Sequence, residues 1–534
     1  MSAGLLLSFV IGYFLLLLVV AFYTSRNSNN DSFFIGNRNS NWMLVAFGMI
    51  GTSLSGVTFV SVPGTVGTSA FAYFQVVIGY FLGYIIIAYV LLPLYYRMNL
   101  TSIYNYLQHR FGMVSYKTGS LFFIISRVLG ATARLYLVIN VLQIFILNDL
   151  MQPLLVNRFH LLPGTAGTVA FGIATFVILL MILLYTFEGG VKTIVFTDTL
   201  QTTFMLVGLI VCMLFIMHNM GHTVGSTLHD LGANGLTKIF NTDVHAPGYF
   251  LKQIIGGMFI TVGMTGLDQE MMQKNISVRN LRDSQKNVMT FSVIMVVVNF
   301  LFLLLGGVLY FYARSRNITV AGDDLFPTIA LHYMPKAISI IFIIGLISAL
   351  FPSADGALTA LTSSFCIDIL GIRRRKGLTE AQQKKIRLTV HFTFAIVFFL
   401  MVMAFKWMDN KSIIDIILKV AGFTYGPLLG LFAFGILTTR KINDRLALIV
   451  CLAAPLLILG IDFVNNIEWW QRQLKLGPWS AGVKDMSASI FGTFKIGYEL
   501  LIYNGLLTFL GLLLISKPQP VSEEVAAILH DGHR

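Results

Sequence analysis

Asp198, Asp355, Arg127 and Arg134 lie inside runs of otherwise apolar side chains. Asp198 sits in Thr193-Ile-Val-Phe-Thr-Asp-Thr-Leu-Gln201, with Thr197, Gln201 and Thr202 as polar company. Asp355 sits between Pro352 and Gly356 in Gly345-Leu-Ile-Ser-Ala-Leu-Phe-Pro-Ser-Ala-Asp-Gly. An ionisable group at such depth costs roughly 2.5–3.5 kcal/mol on insertion scales, so it is expected to face a cavity, an ion or a partner. A structural hydrogen bond between helices is the plainer reading of Asp355. If Asp198 and Asp355 converge, a bound cation or a shared proton must relieve their repulsion. Arg127 and Arg134 are seven apart and project from one helical face. Their guanidinium forks suit carboxylates. That points to an anionic ligand or to a buried pair with Asp198 or Asp355. Arg127, nearer the inner end of its run, is expected to snorkel to the surface, which leaves Arg134 as the buried candidate.

A different kind of signal comes from Trp42 to Gly64. Gly48, Gly51, Gly56, Pro63 and Gly64 interrupt this apolar run, and Thr52, Ser53, Ser55, Thr58 and Ser61 lie among them. Close helix packing through small residues is one reading. The other is an unwound helix whose bare carbonyls coordinate a cation near the bilayer midplane. The run around Pro352 and Asp355 is its expected partner, a second interrupted helix.

The elements that hold these residues are membrane helices. Hydrophobic residues make up 56% of the 534-residue chain and charged residues 11%. Mean hydropathy is +0.78. A soluble protein carries about 25% charged residues. The sequence predicts an all-α membrane protein with thirteen spans, near 4–23, 42–67, 73–96, 119–147, 165–186, 193–217, 248–272, 288–313, 336–370, 387–405, 413–437, 446–463 and 496–516. The runs are too long and too uniformly apolar for barrel strands. The first run lacks a basic flank and a small-residue cleavage site, so it reads as a retained helix. With the N-terminus outside, inside loops hold about twice as many Lys and Arg as outside loops, which predicts an outside N-terminus and a cytoplasmic C-terminus. The same bias accounts for the net charge of +13, and no basic domain stands apart to bind nucleic acid. Cys212, Cys366 and Cys451 lie in apolar stretches and form no disulfide or zinc pattern. Lys419 either snorkels outward, near the Asp409-Asn-Lys411 turn, or pairs with Asp415.

Several stretches resemble the sodium:solute symporter family, which includes sodium–glucose, sodium–proline, sodium–iodide and sialic acid symporters. They are Ser32-Phe-Phe-Ile-Gly-Asn-Arg38, Gly190 to Gln201, Asp268-Gln-Glu-Met-Met-Gln-Lys274, Cys366-Ile-Asp368 and Gly422 to Gly430. Their order and spacing run from about residue 30 to residue 440. The resemblance implies a 5+5 inverted-repeat core of the bacterial leucine transporter type. Residues 1–41 would add an N-terminal helix and loop. The repeats would occupy 42–217 and 248–437 around an extracellular loop at 218–247. Two further helices would fill 438–516, followed by a cytoplasmic tail at 517–534.

The resemblance also implies a main sodium site formed by the carbonyls of Gly51, Leu54 and Ala349 with two consecutive hydroxyls at 352 and 353. Ser353 supplies one, whereas Pro352 cannot supply the other. A second sodium is implied at Asp198, with Asp355 and Gly356 at the partner positions. The solute is implied beside the first sodium, lined by Ser53, Ser55, Thr58, Phe59, Val62 and Gln75. Arg134 favours a carboxylate such as a sialic acid or another organic acid, with sugars and amino acids as alternatives. The expected function is sodium-coupled symport by alternating access across the cell membrane. A transporter-like solute sensor, a channel and a membrane-embedded enzyme are the competing classes. No zinc-protease motif or nucleophile–base pair supports the last.

Overall fold

The computed structural model describes residues 3–26, 30–187, 190–375, 377–408, 413–474, 476–477 and 480–518. The turn at 409–411, the Asp415 side chain and the tail beyond 518 lie outside the described residues.

Apolar runs of membrane length can satisfy their backbone only as helices. Among the described residues, ten helices are long and apolar enough to cross a bilayer. They are α1 (Gly4–Thr24), α2 (Trp42–Ser69), α3 (Tyr73–Arg97), α4 (Met113–Phe159), α5 (Pro163–Thr186), α6 (Val191–Asn219), α9 (Leu281–Ser315), α10 (Lys336–Ile369), α11 (Glu380–Trp407) and α14 (Asp444–Asn465). Two bent pairs raise the number to as many as twelve. One is α7 (Phe250–Gly266) with α8 (Gln269–Ile276), bent by 65°, and the other α12 (Ile416–Thr424) with α13 (Gly426–Leu437), bent by 44°. A shorter apolar helix, α15 (Leu500–Leu514), completes the set. Strand β1 (Lys441–Ile442) pairs antiparallel with β2 (Ser516–Lys517), tying the segment after α13 to the end of α15.

The helices are graded by their surroundings. Helices α2 and α10 are enclosed along most of their length, while α1 and α14 show mainly apolar side chains outward. Leu15, Leu16, Phe22, Ile449, Leu456 and Leu457 are exposed, as a lipid-facing surface requires. This is a multi-pass membrane protein.

The predicted runs and the observed helices differ at informative places. Helix α4 continues to Phe159, well past the apolar run ending near 147, and carries Asn148, Asp149, Gln152 and Arg158 on its last turns. Helix α2 is interrupted as predicted, at Ser55, where φ is 45° and ψ is 168°. That left-handed backbone costs a non-glycine residue about 1–3 kcal/mol. The expected second interruption is not where the sequence put it. Helix α10 runs through Pro352 without non-helical torsions. Pro352 removes one N–H and so deprives only the Ser348 carbonyl of its donor. The second break falls instead between α7 and α8, at Leu267 and Asp268, where the Asp268 side chain accepts from Glu270 N (2.9 Å) and Met271 N (3.3 Å) and starts a new helix.

Small residues allow the tightest helix contacts. At the α3–α7 crossing, a β-carbon on Gly79 would stand 2.8 Å from Met258 N and 3.0 Å from Gly257 Cα. Backbone cannot swing aside as a flexible side chain can. Gly79→Ala is expected to destabilise the protein by about 1–3 kcal/mol through overpacking. Gly130→Ala, which meets nothing within 4 Å, serves as the neutral control. Thermal melts of the two detergent-solubilised variants check this; equal melting temperatures would refute the crossing.

Candidate functional site

The break in α2 strands the carbonyls of the turn before it. The last turn of a helix leaves C=O groups without intrahelical donors, and here that turn is Gly51 to Leu54. Against it packs α10, with a β-carbon placed on Gly51 reaching 3.5 Å from Pro352 Cγ. On α10 the Ser353 hydroxyl is buried and has no hydrogen-bond partner among the described residues. Ala349 is fully buried one helical turn before Ser353. Neutral oxygen donors facing a turn of stranded carbonyls fit a monovalent metal cation. Gly51, Leu54, Ala349 and Ser353 therefore belong to two facing elements, as the sequence implied, although the α10 side is an intact helix.

Beside this turn lies a cavity of about 90 Å³. Its walls include Thr52, Ser53, Leu54, Ser55 and Thr58 from α2, Tyr73, Tyr80 and Tyr84 from α3, and Arg127 and Arg134 from α4. Thr261, Met264 and Thr265 from α7, Met271 from α8, Asn299 from α9 and Ile417 and Leu418 from α12 complete it. The Tyr73 and Tyr80 hydroxyls are 3.3 Å apart. Asn299 donates its amide N–H to Met295 O at 2.8 Å, and its Oδ1 has no hydrogen-bond partner among the described residues.

Of the predicted solute residues, Ser53, Ser55, Thr58 and Arg134 meet in this cavity, whereas Phe59, Val62 and Gln75 do not line it. Phe59 stacks among Phe302, Phe326 and Phe342 behind α2. Val62 is fully buried. Gln75 bonds Ala72 O (3.0 Å) and Gly248 O (3.4 Å) and accepts from Asn241 N (3.1 Å), so it anchors the loop before α7. Its position at the start of an apolar run suggested a polar contact; the loop that claims it is remote in sequence.

The two arginines divide their work differently from the sequence reading. Arg127 does not snorkel. It is buried, ion-paired to Glu270, and 3.8 Å from Asp268 Oδ2. Asp268 also accepts from Tyr425 Oη at 2.7 Å. Arg134 has no ion pair among the described residues and stays half-buried in the cavity wall.

Asp198 and Asp355 are each held by other partners. Asp198 Oδ2 lies 2.7 Å from Lys274 Nζ and accepts from Thr52 Oγ1 at 3.1 Å. Asp355 accepts from Tyr185 Oη (2.7 Å) and Gly356 N (2.5 Å). Lys274 Nζ is also 3.6 Å from Glu270 Oε1. Glu270 and Lys274 were the missed residues. Their signal was present, since they stand four apart at the end of a membrane run and share one helical face. Asp368 is a structural acceptor for Ser102, Tyr116 and Ser364. Lys419 pairs with Asp462 at 2.7 Å. The three cysteines are free and buried.

Removing one partner of a buried pair leaves an uncompensated charge and costs about 3–5 kcal/mol. Arg127→Met is expected to lower the melting temperature sharply, and adding Glu270→Leu is expected to recover most of the loss. A double variant no more stable than the single one would show that the two charges do not compensate each other.

The sequence model of the sodium:solute symporter family matches residues 33–453. The sodium/sialic acid symporter SiaT of Proteus mirabilis is 21% identical over 476 residues, covering 85% of this chain and 88% of the relative. The sodium/sialic acid symporter NanT of Aliivibrio fischeri is 24% identical over 475 residues, covering 84% and 86%. Among solved structures, a substrate-bound, outward-open Na+-coupled sialic acid symporter superposes with a TM-score of 0.76 at 18% identity, over 96% of this chain and 99% of that one. At that identity the likeness is one of fold.

Proposed function

The chain belongs to the sodium:solute symporter family, and from that membership we propose a sodium-coupled symporter that imports a small carboxylate by alternating access. The observation that carries the choice of solute is Arg134. It is a guanidinium without an acidic partner among the described residues, in the wall of a cavity that also presents the hydroxyls of Ser53, Ser55, Thr58 and three tyrosines. A guanidinium fork is matched by a carboxylate. Ser53, Ser55, Thr58 and the tyrosine hydroxyls then serve the polar body of a hydroxylated acid. The two relatives named for sialic acid support that class. A neutral sugar is the second reading, because the same hydroxyls would suit it without a charge.

Sodium sits against the stranded turn of α2, held by the carbonyls of Gly51, Leu54 and Ala349 and the Ser353 hydroxyl. It enters from outside, orders the turn, and the solute binds next to it. Each sodium charge moving inward contributes about 2.3 kcal/mol per 100 mV. The architecture we infer is thirteen spans, counting each bent pair as one and including α15. The core is two inverted repeats, α2 to α6 and α7 to α13, flanked by α1 before and α14 and α15 after. Each repeat opens on an interrupted helix, at Ser55 and at Leu267, which supports the pairing. The Lys and Arg bias supports an outside N-terminus and a cytoplasmic C-terminus.

Uptake and counterflow in proteoliposomes test the reading. Sodium-driven accumulation of sialic acid or another organic acid is expected, with exchange of labelled solute, which a sensor would not show. A hydrogen bond to a charged group contributes about 1.5–3 kcal/mol, so Arg134→Ala is expected to raise the KM for the acid about tenfold or more. Ser353→Ala is expected to weaken sodium affinity with little change in the melting temperature. Acid uptake indifferent to Arg134→Ala would remove the carboxylate assignment.

A further inference from the structure

Asp198 is fully buried, and the position it commands is already filled by a cation of the protein itself. The ammonium of Lys274, carried on α8, has oxygen neighbours from three helices: Asp198 Oδ2 of α6 at 2.7 Å, Thr52 Oγ1 of α2 at 2.7 Å, and Glu270 Oε1 of α8 at 3.6 Å. Thr52 in turn donates to Asp198 Oδ2, closing the ring. Asp355, the residue whose carboxylate would join Asp198 around a second ion, is turned to Tyr185 and to Gly356 N. The residues present therefore do not fit a second sodium at Asp198. Resting on the proposed symport reading, we propose that Lys274 is the resident cation of the Asp198 position, so that the protein binds and carries one sodium ion per cycle.

Charge and geometry both lead there. Sodium and ammonium carry the same charge, and Lys274 already holds Asp198 Oδ2 and the Thr52 hydroxyl. A sodium arriving beside Lys274 would stand against a like charge at short range in an apolar interior. A sodium displacing Lys274 would strand the ammonium, which cannot leave because α8 holds its stem. That helix is fixed at its start by the Asp268 cap and braced by Arg127 on Glu270. A tethered cation also makes no contribution to the charge moved across the membrane. It keeps Thr52 in place on the wall of the solute cavity, next to the Gly51 to Leu54 turn, without being transported. Asp198 Oδ1 has no protein donor and is the remaining atom through which an ion could compete. Counting bound ions decides between the two.

Equilibrium binding of sodium-22 to the purified full-length protein in detergent is the test, with no solute needed. The wild type is expected to bind one sodium per chain with a Hill coefficient of one. Lys274→Gln is expected to gain a second sodium with a Hill coefficient rising toward two. The gain is expected to vanish in the Lys274→Gln, Asp198→Asn double variant. Two ions on the wild type, falling to one in Asp198→Asn, would overturn the proposal and leave sodium coupling intact. No sodium on the wild type would overturn the coupling reading as well. A single ion on Lys274→Gln would show that the lysine is not what excludes the second. If Lys274→Gln does not fold, the wild-type count alone still decides the stoichiometry.

Discussion

A backbone carbonyl in a bilayer must be answered from within the protein, because no water reaches it. An interrupted membrane helix therefore exists only where its freed oxygens meet other protein groups, a cavity or an ion. The break at Ser55 meets this by opening onto the cavity, whose wall includes Leu54 and Ser55. Helix α2 runs between α6, α9 and α10 and is enclosed along most of its length. The strained torsions at Ser55 persist because the surrounding helices hold them. The second break, at Asp268, is resolved by a different device. There a carboxylate caps the new helix and recruits Arg127 and Tyr425, so the chain changes direction with its new helix start capped.

Those two breaks explain why so many charges sit in so apolar a protein. Asp268 and Glu270 begin α8, Arg127 answers them from α4, and Lys274 links Glu270 to Asp198. The result is a continuous line of alternating charge from the solute cavity to α6. Any one of these groups alone would be costly at such depth, and together they are paired. Arg134 stands outside the line. It is the cation of the cavity wall that the described fold does not use for its own stability.

Much of this was legible in the sequence. The membrane class, the interruption of α2 and the depth of Asp198 and Asp355 follow from hydropathy and from glycine, proline and serine placed inside an apolar run. The partner of Asp198 did not follow. Asp198 and Lys274 are 76 residues apart, and pairing over that distance is set by tertiary packing. The proline at 352 misled for a physical reason. A proline removes one hydrogen bond, and a helix packed on all sides tolerates that loss, so α10 stays continuous while the unmarked Leu267–Asp268 step bends. Phe59 was read from nearness to the break and Gln75 from its place at the start of the next span, whereas side-chain direction decides which residues on a helix face a cavity.

Coupling between ion and solute, on the proposed reading, comes from sharing one turn of chain. The carbonyls offered to sodium belong to Gly51 and Leu54, and the side chains offered to the solute belong to Ser53, Ser55 and Thr58. Leu54 and Ser55 are adjacent, and the non-helical torsions of Ser55 orient both groups. An ion that fixes the Leu54 carbonyl thereby fixes the neighbouring hydroxyl, so ordering done for one ligand need not be repeated for the other. Linkage then requires the reverse effect of equal size, with solute tightening the hold on sodium. Thr52, gripped by Lys274 on one side and facing the cavity on the other, limits how far that turn can relax when both sites are empty. A fixed lysine suits that task better than a second exchangeable ion, because its restraint remains through the whole cycle.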